Sequence, residues 1–443
     1  MGRRRSKPRG LSRRDFLKVG GAGLAGAALL GAAGCGGGEQ SGGATEVYFT
    51  GPPDTTGTTD KLVSQFNEKN KGKYKVIFQQ GNADTGQRLD KLRTQFQAGG
   101  EDLDVILGDV IWTAELAASD WISDLSDRFP ESTQQQYLPG SVEAITFDGK
   151  PYGLPWFTDT GLLYYRKDLL KKSGYKGPPK TWDELKQMTM KVRRESDIKF
   201  GFVFQGAKSE AGVCDGCEYI WGHGGNILDP SDPTKVLVDS PQAIAGLQTE
   251  RSMITDGIAP EAVTVYEESE TDGVFLRGDT IFMREWPYAY ALIGTSDYPN
   301  LKTDQVGVSE LPSADGKPGN GTVGDQPLYI SATSQNPEAA WKFIEFLSAP
   351  EQQRLRALEG SYLPTRSVLY DDPEIQDTVP VVPLAKQALQ HTLPRPVSPY
   401  YSDMSLEMQE QFNVSLKGDV PPEEAARALK SELENIIQQG QES

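Results

Sequence analysis

Between residues 45 and 110 the apolar positions change period four times. Val47 and Phe49 alternate with their neighbours, as do Tyr74, Val76 and Phe78, which predicts two strands. Leu62, Val63 and Phe66, then Leu89, Leu92 and Phe96, recur at helical spacing instead. Asp104-Val105-Ile106-Leu107 is a short apolar run of the kind a buried parallel strand carries. Strand, helix, strand, helix, strand is the order of an α/β lobe on a mostly parallel sheet. Ligands of such sheets bind beyond the carboxyl ends of the strands. Asp54, in the turn-rich loop Gly51–Thr59, and Asp109, beside Gly108, fall at equivalent strand ends.

The pattern then becomes less regular. Asp120–Pro139 reads as a peripheral helix. Asp148–Leu170 follows, with Pro151 and Pro155 breaking regular structure. Tyr152, Trp156 and Phe157 make a short exposed aromatic segment, Asp159 sits among the rings, and Gly161–Tyr165 enters a buried strand. Aromatic faces beside a fixed carboxylate match a polyhydroxylated ligand, because the ring supplies apolar area and the carboxylate accepts from hydroxyls. The same rings also fit a core strand.

Further along, Thr181-Trp182-Asp183-Glu184 is a capping box, and Ser240-Pro241 a cap with proline at the first helical position. Phe200–Gln205 and Asp279–Met283 predict strands, and Glu218–Trp221 a helix closed by Gly222–Gly225. Trp286 stands at a strand end, where Pro287 breaks the ladder. Glu267, Glu268, Glu270 and Asp272 read as a solvated helix start. The Gly/Pro-rich segment Leu311–Gly324 returns through the strand Leu328–Ser331. Asn336-Pro337 opens an amphipathic helix with Ala340, Trp341, Ile344 and Leu347 inward.

The first 34 residues change the picture of where this chain works. A basic region around Arg3, Arg4, Arg5, Lys7 and Arg9 precedes a weakly apolar Gly/Ala/Leu run and then Cys35, the layout of an export signal. The heptad Ser12–Lys18 (SRRDFLK) resembles the twin-arginine motif, which implies export of an already folded chain. Ala32-Ala33-Gly34-Cys35 resembles a lipobox, with Ala32 where leucine is usual, so Cys35 is expected to be lipidated. A Gly/Ser-rich tether, Gly36–Gly43, follows it. Removing the signal leaves 37 basic and 61 acidic residues, a net charge near −24. Nucleic acid is thereby excluded as a partner, since it demands a basic footprint. About 400 remaining residues call for two lobes.

Candidate chemistry is sparse. Cys214 and Cys217 form a C-x-x-C pair, which in an oxidising compartment predicts a local disulfide. Only His223 and His391 supply imidazoles, too few for a histidine metal cage or a Ser-His-Asp triad. No metal, cofactor or catalytic group is expected.

Six stretches in order carry a family resemblance. They are Asp104–Ala117 (DVILGDVIWTAELA), Tyr152–Leu170 (YGLPWFTDTGLLYYRKDLL), Pro179–Leu185, Phe282–Tyr290 (FMREWPYAY), Asn336–Leu347 and Arg395–Tyr401 (RPVSPYY). Together they resemble the extracellular solute-binding proteins of carbohydrate ABC importers, the maltose-binding-protein-like class and its trehalose/maltose branch. The resemblance implies a class II, two-lobed periplasmic-binding-protein-like α/β fold hinged on crossover strands. The lobes would be 46–155 with 326–372, and 156–325 with 373–443, after a signal at 1–34 and a tether at 35–45. It implies a monomer that encloses a carbohydrate and passes it to membrane permease subunits, from the outer face of the cytoplasmic membrane. By motif, Asp109 and Asp159 match the acids that bond sugar hydroxyls, and Trp286 the ring beneath the sugar. Arg395 matches an arginine reaching a sugar oxygen, with Phe157, Glu218 and Trp221 nearby and Asp54 a looser match. The chain departs from the family at Val323-Gly324-Asp325-Gln326, where a Gly-Gly-Trp-like turn is common, which implies a different sugar or linkage. The readings that compete with a binder of this kind are an extracellular glycoside hydrolase, needing two carboxylates about 5–10 Å apart, and a polyamine or peptide receptor.

Overall fold

The computed structural model describes residues 43–100 and 102–442. The export signal, Cys35 and most of the tether lie outside these residues.

Ten strands form two sheets. In chain order they are β1 (Thr45–Gly51), β2 (Tyr74–Gln80), β3 (Val105–Leu107), β4 (Gly153–Thr158) and β5 (Leu162–Arg166). There follow β6 (Phe200–Val203), β7 (Thr280–Glu285), β8 (Val306–Ser309), β9 (Gln326–Ile330) and β10 (Leu363–Pro364). The first sheet runs β10-β4-β9-β3-β1-β2 and the second β8-β5-β7-β6. β1 is parallel to β2 and β3, as the alternating period predicts, but β9 and β10 join antiparallel. The first sheet is therefore mixed: β9 enters from the other lobe by a crossover and not by a helix, and lies antiparallel to β3 and β4.

The chain passes between sheets three times. It leaves the first through Asp159-Thr160-Gly161, returns between Ser309 and Gln326, and leaves again through the turn Ser367–Asp371. β4 pairs with β9 and β10 along its length, so Trp156, Phe157 and Thr158 belong to the first sheet. The first crossover thus begins after Thr158 and not after Pro155. The aromatic segment is also not exposed: every residue of β4 is buried. Trp156 packs edge-on to Phe49 at 6.3 Å, inside a cluster with Phe66 and Phe343. Burying a ring of that size contributes about 2–3 kcal/mol.

Asp120–Pro139 is not a helix. Its backbone instead bonds the sheet and its margin, Ser123 N–H to Ile330 and Leu125 N–H to Pro151, and only Glu131–Gln134 makes a helical turn. Asp120, at φ 55°, starts that departure. The predicted helices at Leu62–Phe66, Leu89–Phe96 and Ala340–Leu347 bury the faces their spacing marks. Thr181 Oγ1 accepts from Glu184 N–H at 3.0 Å, while the Glu184 carboxylate reaches Lys180 N–H, one residue short of a capping box.

The expected disulfide is corrected as well. Cys214 and Cys217 are free thiols, both buried within the unbroken helix Glu210–Trp221. Burial holds both thiols well above their ordinary range, so they carry almost none of the thiolate that disulfide formation requires.

Candidate functional site

Each predicted polar residue has a definable set of partners. Asp54 lies in the loop after β1 and receives Thr56 N–H (2.9 Å), Thr59 N–H (2.7 Å), and the hydroxyls of Thr56 (2.6 Å), Thr58 (3.0 Å) and Tyr362 (3.0 Å). Burial disfavours its charge, but Arg356 and these donors outweigh it and hold the carboxyl well below the usual range. Asp54 is thus committed to the start of the helix Thr58–Lys69 and to Tyr362.

Asp109 caps the turn after β3, with Oδ1 accepting Ile111 N–H at 3.2 Å and Arg395 Nη2 at 2.8 Å. The other arm of Arg395, Nη1, donates to Glu210 at 2.8 Å, and Tyr401 and Ser405 also donate to Glu210. Asp109 sits at the end of a first-sheet strand, whereas Glu210 and Arg395 come from the second lobe. The three make a buried ionic bridge between lobes. Arg395 does not extend freely toward a ligand; its two terminal nitrogens hold carboxylates.

Asp159 differs from both. It stands in the first crossover, 8% exposed, and its Oδ1 is buried without a partner. Burial, opposed by Arg356 and reinforced by Asp325, raises its carboxyl well above the usual range. A neutral carboxyl both donates and accepts, which is what a hydroxyl requires. Gly324 N–H bonds the Asp159 carbonyl at 3.1 Å. A Cβ on Gly324 would lie 3.1 Å from Asp159 Cβ and 3.2 Å from Trp286 Cζ3. A side chain there would have to push a neighbour aside by a few tenths of an ångström, so the returning chain lies close against both Asp159 and Trp286 at this glycine.

Trp286 is half-buried at the end of β7. Its indole N–H donates to Glu268 at 3.2 Å and its backbone N–H to Glu285 at 2.9 Å. The Arg284 guanidinium lies 4.1 Å from the ring centroid. Glu218 is a partner of that arginine and not of the cleft: it accepts from Arg284 Nε (2.8 Å) and Nη2 (2.6 Å), and from Thr322 N–H (2.9 Å). Trp221 is corrected too. It is buried in a cluster with Val213, Ile220 and Leu247, its N–H facing Asn226 at 3.3 Å. Phe157 forms a wall and not a surface, packed between Trp156 and Tyr362.

Two residues beside this site have no counterpart in the sequence reading. Arg356 is stacked over Trp156 (3.8 Å), Tyr362 (3.9 Å) and Phe157 (4.5 Å), with Nε and Nη1 unpartnered. Tyr362 itself meets Tyr288 of the other lobe at 6.4 Å. The stretch Gln352–Gly360 reads as an ordinary polar helix, and no local spacing announces that its arginine is caged by rings.

Successive residues of an extended chain face opposite ways. Thr158 and Asp325 accordingly line a separate cavity of about 950 Å³ on the other face of the crossovers, with Val110, Ser141, Tyr370 and Arg395. Of the predicted residues only Arg395 reaches it. Asp325 there accepts from Ser141 at 2.9 Å, and burial raises its carboxyl to about 6.

The acids expected at a solvated helix start divide. Glu270 accepts Glu267 N–H at 3.0 Å at the opening of Glu268–Leu276, but Asp272 is buried, accepting from Tyr288 OH at 2.8 Å. Burial raises Asp272 to about 7, against the Tyr288 bond, and holds neighbouring Glu285 high as well. With the folded value above the unfolded one, the fold retains a proton that the unfolded chain releases. Stability is then lost as pH rises from about 4 towards 7. Asp272→Asn should therefore raise stability at pH 8, by an amount on the order of 3 kcal/mol, and leave it unchanged near pH 4. Urea unfolding at the two pH values checks this; equal effects at both would contradict it.

A two-sheet α/β chain crossed three times, with a polar group and a ring converging at the crossovers, is a two-lobed ligand-binding protein. The chain belongs to the bacterial extracellular solute-binding proteins, whose family model matches residues 52–354. A probable ABC transporter-binding protein of Deinococcus radiodurans is 36% identical over 361 residues, covering 80% of this chain and 84% of its own. A maltotriose-binding protein of Pyrococcus abyssi is 28% identical over 323 residues, covering 70% of this chain and 64% of its own. Among solved structures, maltose-bound MalE3 of T. maritima superposes with a TM-score of 0.83 at 35% identity, covering 88% of this chain and 99% of that one. These relatives are binding proteins, and the glycoside hydrolase reading is set aside: this family binds solutes and does not cleave them.

Proposed function

We propose that this protein captures a neutral saccharide, an α-linked disaccharide such as trehalose or maltose, and delivers it to the membrane subunits of an ABC importer. The observation that carries the reading is the meeting of Asp159 and Trp286 across Gly324. An unpartnered carboxyl oxygen and a half-buried ring flank one site there. The ring covers the apolar face of a sugar and the carboxyl satisfies a hydroxyl. Unmatched polar groups are costly once buried, so this pairing favours polyols over apolar ligands. The names of the T. maritima and P. abyssi relatives point to the same chemistry. The lipobox-like segment supports delivery from the outer face of the cytoplasmic membrane, with Cys35 as the lipid-bearing residue.

A thermal-shift screen of mono- and disaccharides tests the proposal. A ligand at 100 times its Kd stabilises by about 2.7 kcal/mol, so the matching sugar should raise the melting temperature measurably. No shift with any neutral saccharide, alongside a shift with amines or peptides, would overturn it.

A further inference from the structure

Arg284 is among the most enclosed charges of the described residues. Its side chain is 2% exposed, and Glu218 grips it through two nitrogens at 2.8 and 2.6 Å. Gln205 Oε1 accepts from Nη1 at 3.2 Å, and the Asp215 carboxylate stands 3.6 Å from Nε. These partners hold the guanidinium in place with its face 4.1 Å from the indole centroid of Trp286. Glu268 fixes the opposite end of the ring through the indole N–H. The ring is thus immobilised, with a cation already on one face.

This matters because the surroundings of the ring are rich in acids. Glu268 bonds the indole, Asp159 lies across Gly324, and Asp272 and Glu285 stand behind. Carboxyl oxygens beside an aromatic face accept from the N–H groups of an ammonium while the ring attracts its charge, so such surroundings could hold a cation. Arg284 removes the second part. It draws on the π density from the inner face and opposes a second cation on the outer one. A neutral sugar uses the ring as apolar area and loses nothing.

We propose that Arg284, positioned by Glu218, is a specificity-determining residue that makes the Trp286 face select neutral polyols over ligands carrying an ammonium group. The inference rests on the proposed saccharide site at Trp286. It gives Glu218 a role through Arg284 in place of direct ligand contact.

The test is calorimetric titration of maltose and trehalose, each against its 2-amino-2-deoxy analogue, at pH 6 with the amine protonated. The readout is the ratio of neutral to amino affinity. Glu218→Gln with Arg284→Gln removes both charges together while keeping hydrogen-bonding groups, and circular dichroism checks that the variant folds. The ratio should fall about tenfold in this pair, and should stay at the wild-type value in Arg284→Lys, which keeps the charge. In a Trp286→Leu background, which has no π face, the same double substitution should leave the ratio unchanged. An unchanged ratio in the double variant, or a shift that persists without the indole, would overturn the role of Arg284 alone. Wild-type protein that binds neither neutral disaccharide would remove the proposed function and this inference with it.

Discussion

Trp286→Ala is expected to weaken saccharide binding by about two orders of magnitude, with little change in the stability of the unliganded protein. The size follows from area: covering roughly 120 Å² of ring and sugar at about 25 cal/mol per Å² gives ~3 kcal/mol, and each 1.4 kcal/mol is tenfold in affinity. The small effect on folding follows from position. Trp286 is half-buried at a strand end, and its indole makes one side-chain hydrogen bond, to Glu268. Trp156, by contrast, is fully buried beneath the first sheet. Calorimetry for affinity and urea unfolding for stability separate the two effects. Undiminished affinity in the variant would remove the ring from the site.

Arg395→Met should have the largest effect on stability. The substitution leaves Asp109 and Glu210 buried without their shared cation, and breaking a buried ion pair by removing one partner costs about 3–5 kcal/mol. The bridge joins the end of β3 to the second lobe, so the loss should fall on lobe association as well as on local packing. Adding Asp109→Asn and Glu210→Gln to Arg395→Met should restore most of the stability, because no buried charge is then left unpaired. Denaturant unfolding of the single and triple variants measures both. A single variant as stable as wild type would show that the bridge is not held in solution.

What could be read from the chain alone tracks how local its causes are. β1, β2 and the helices that follow them announce themselves by period, and β3 by an unbroken apolar run, because the face or strand each buries is written in consecutive residues. Asp159 stood out in the sequence as an acid among rings; that those rings are core and the acid stands in the first crossover follows from the pairing of β4 with β9 and β10. Asp120–Pro139 failed because its helical composition loses to long-range backbone bonds with Ile330 and Pro151. Glu218 and Arg395 were expected at the ligand because their motifs resemble the family's, and a motif does not show what a side chain pairs with. Their actual partners, Arg284 and Glu210, lie 66 and 185 positions away. Arg356 was invisible for the same reason, its cage being built from rings on β4 and on Tyr362. The C-x-x-C spacing misled because it records proximity along the chain and not access to an oxidant.

A neutral saccharide should bind where Asp159 and Trp286 meet. Calorimetric titration of maltose and trehalose into the purified protein and into its Asp159→Ala variant measures this. At least one disaccharide should bind saturably, one to one, and at least about tenfold more weakly once the unpartnered carboxyl is removed. Equal affinity in the two proteins would contradict it.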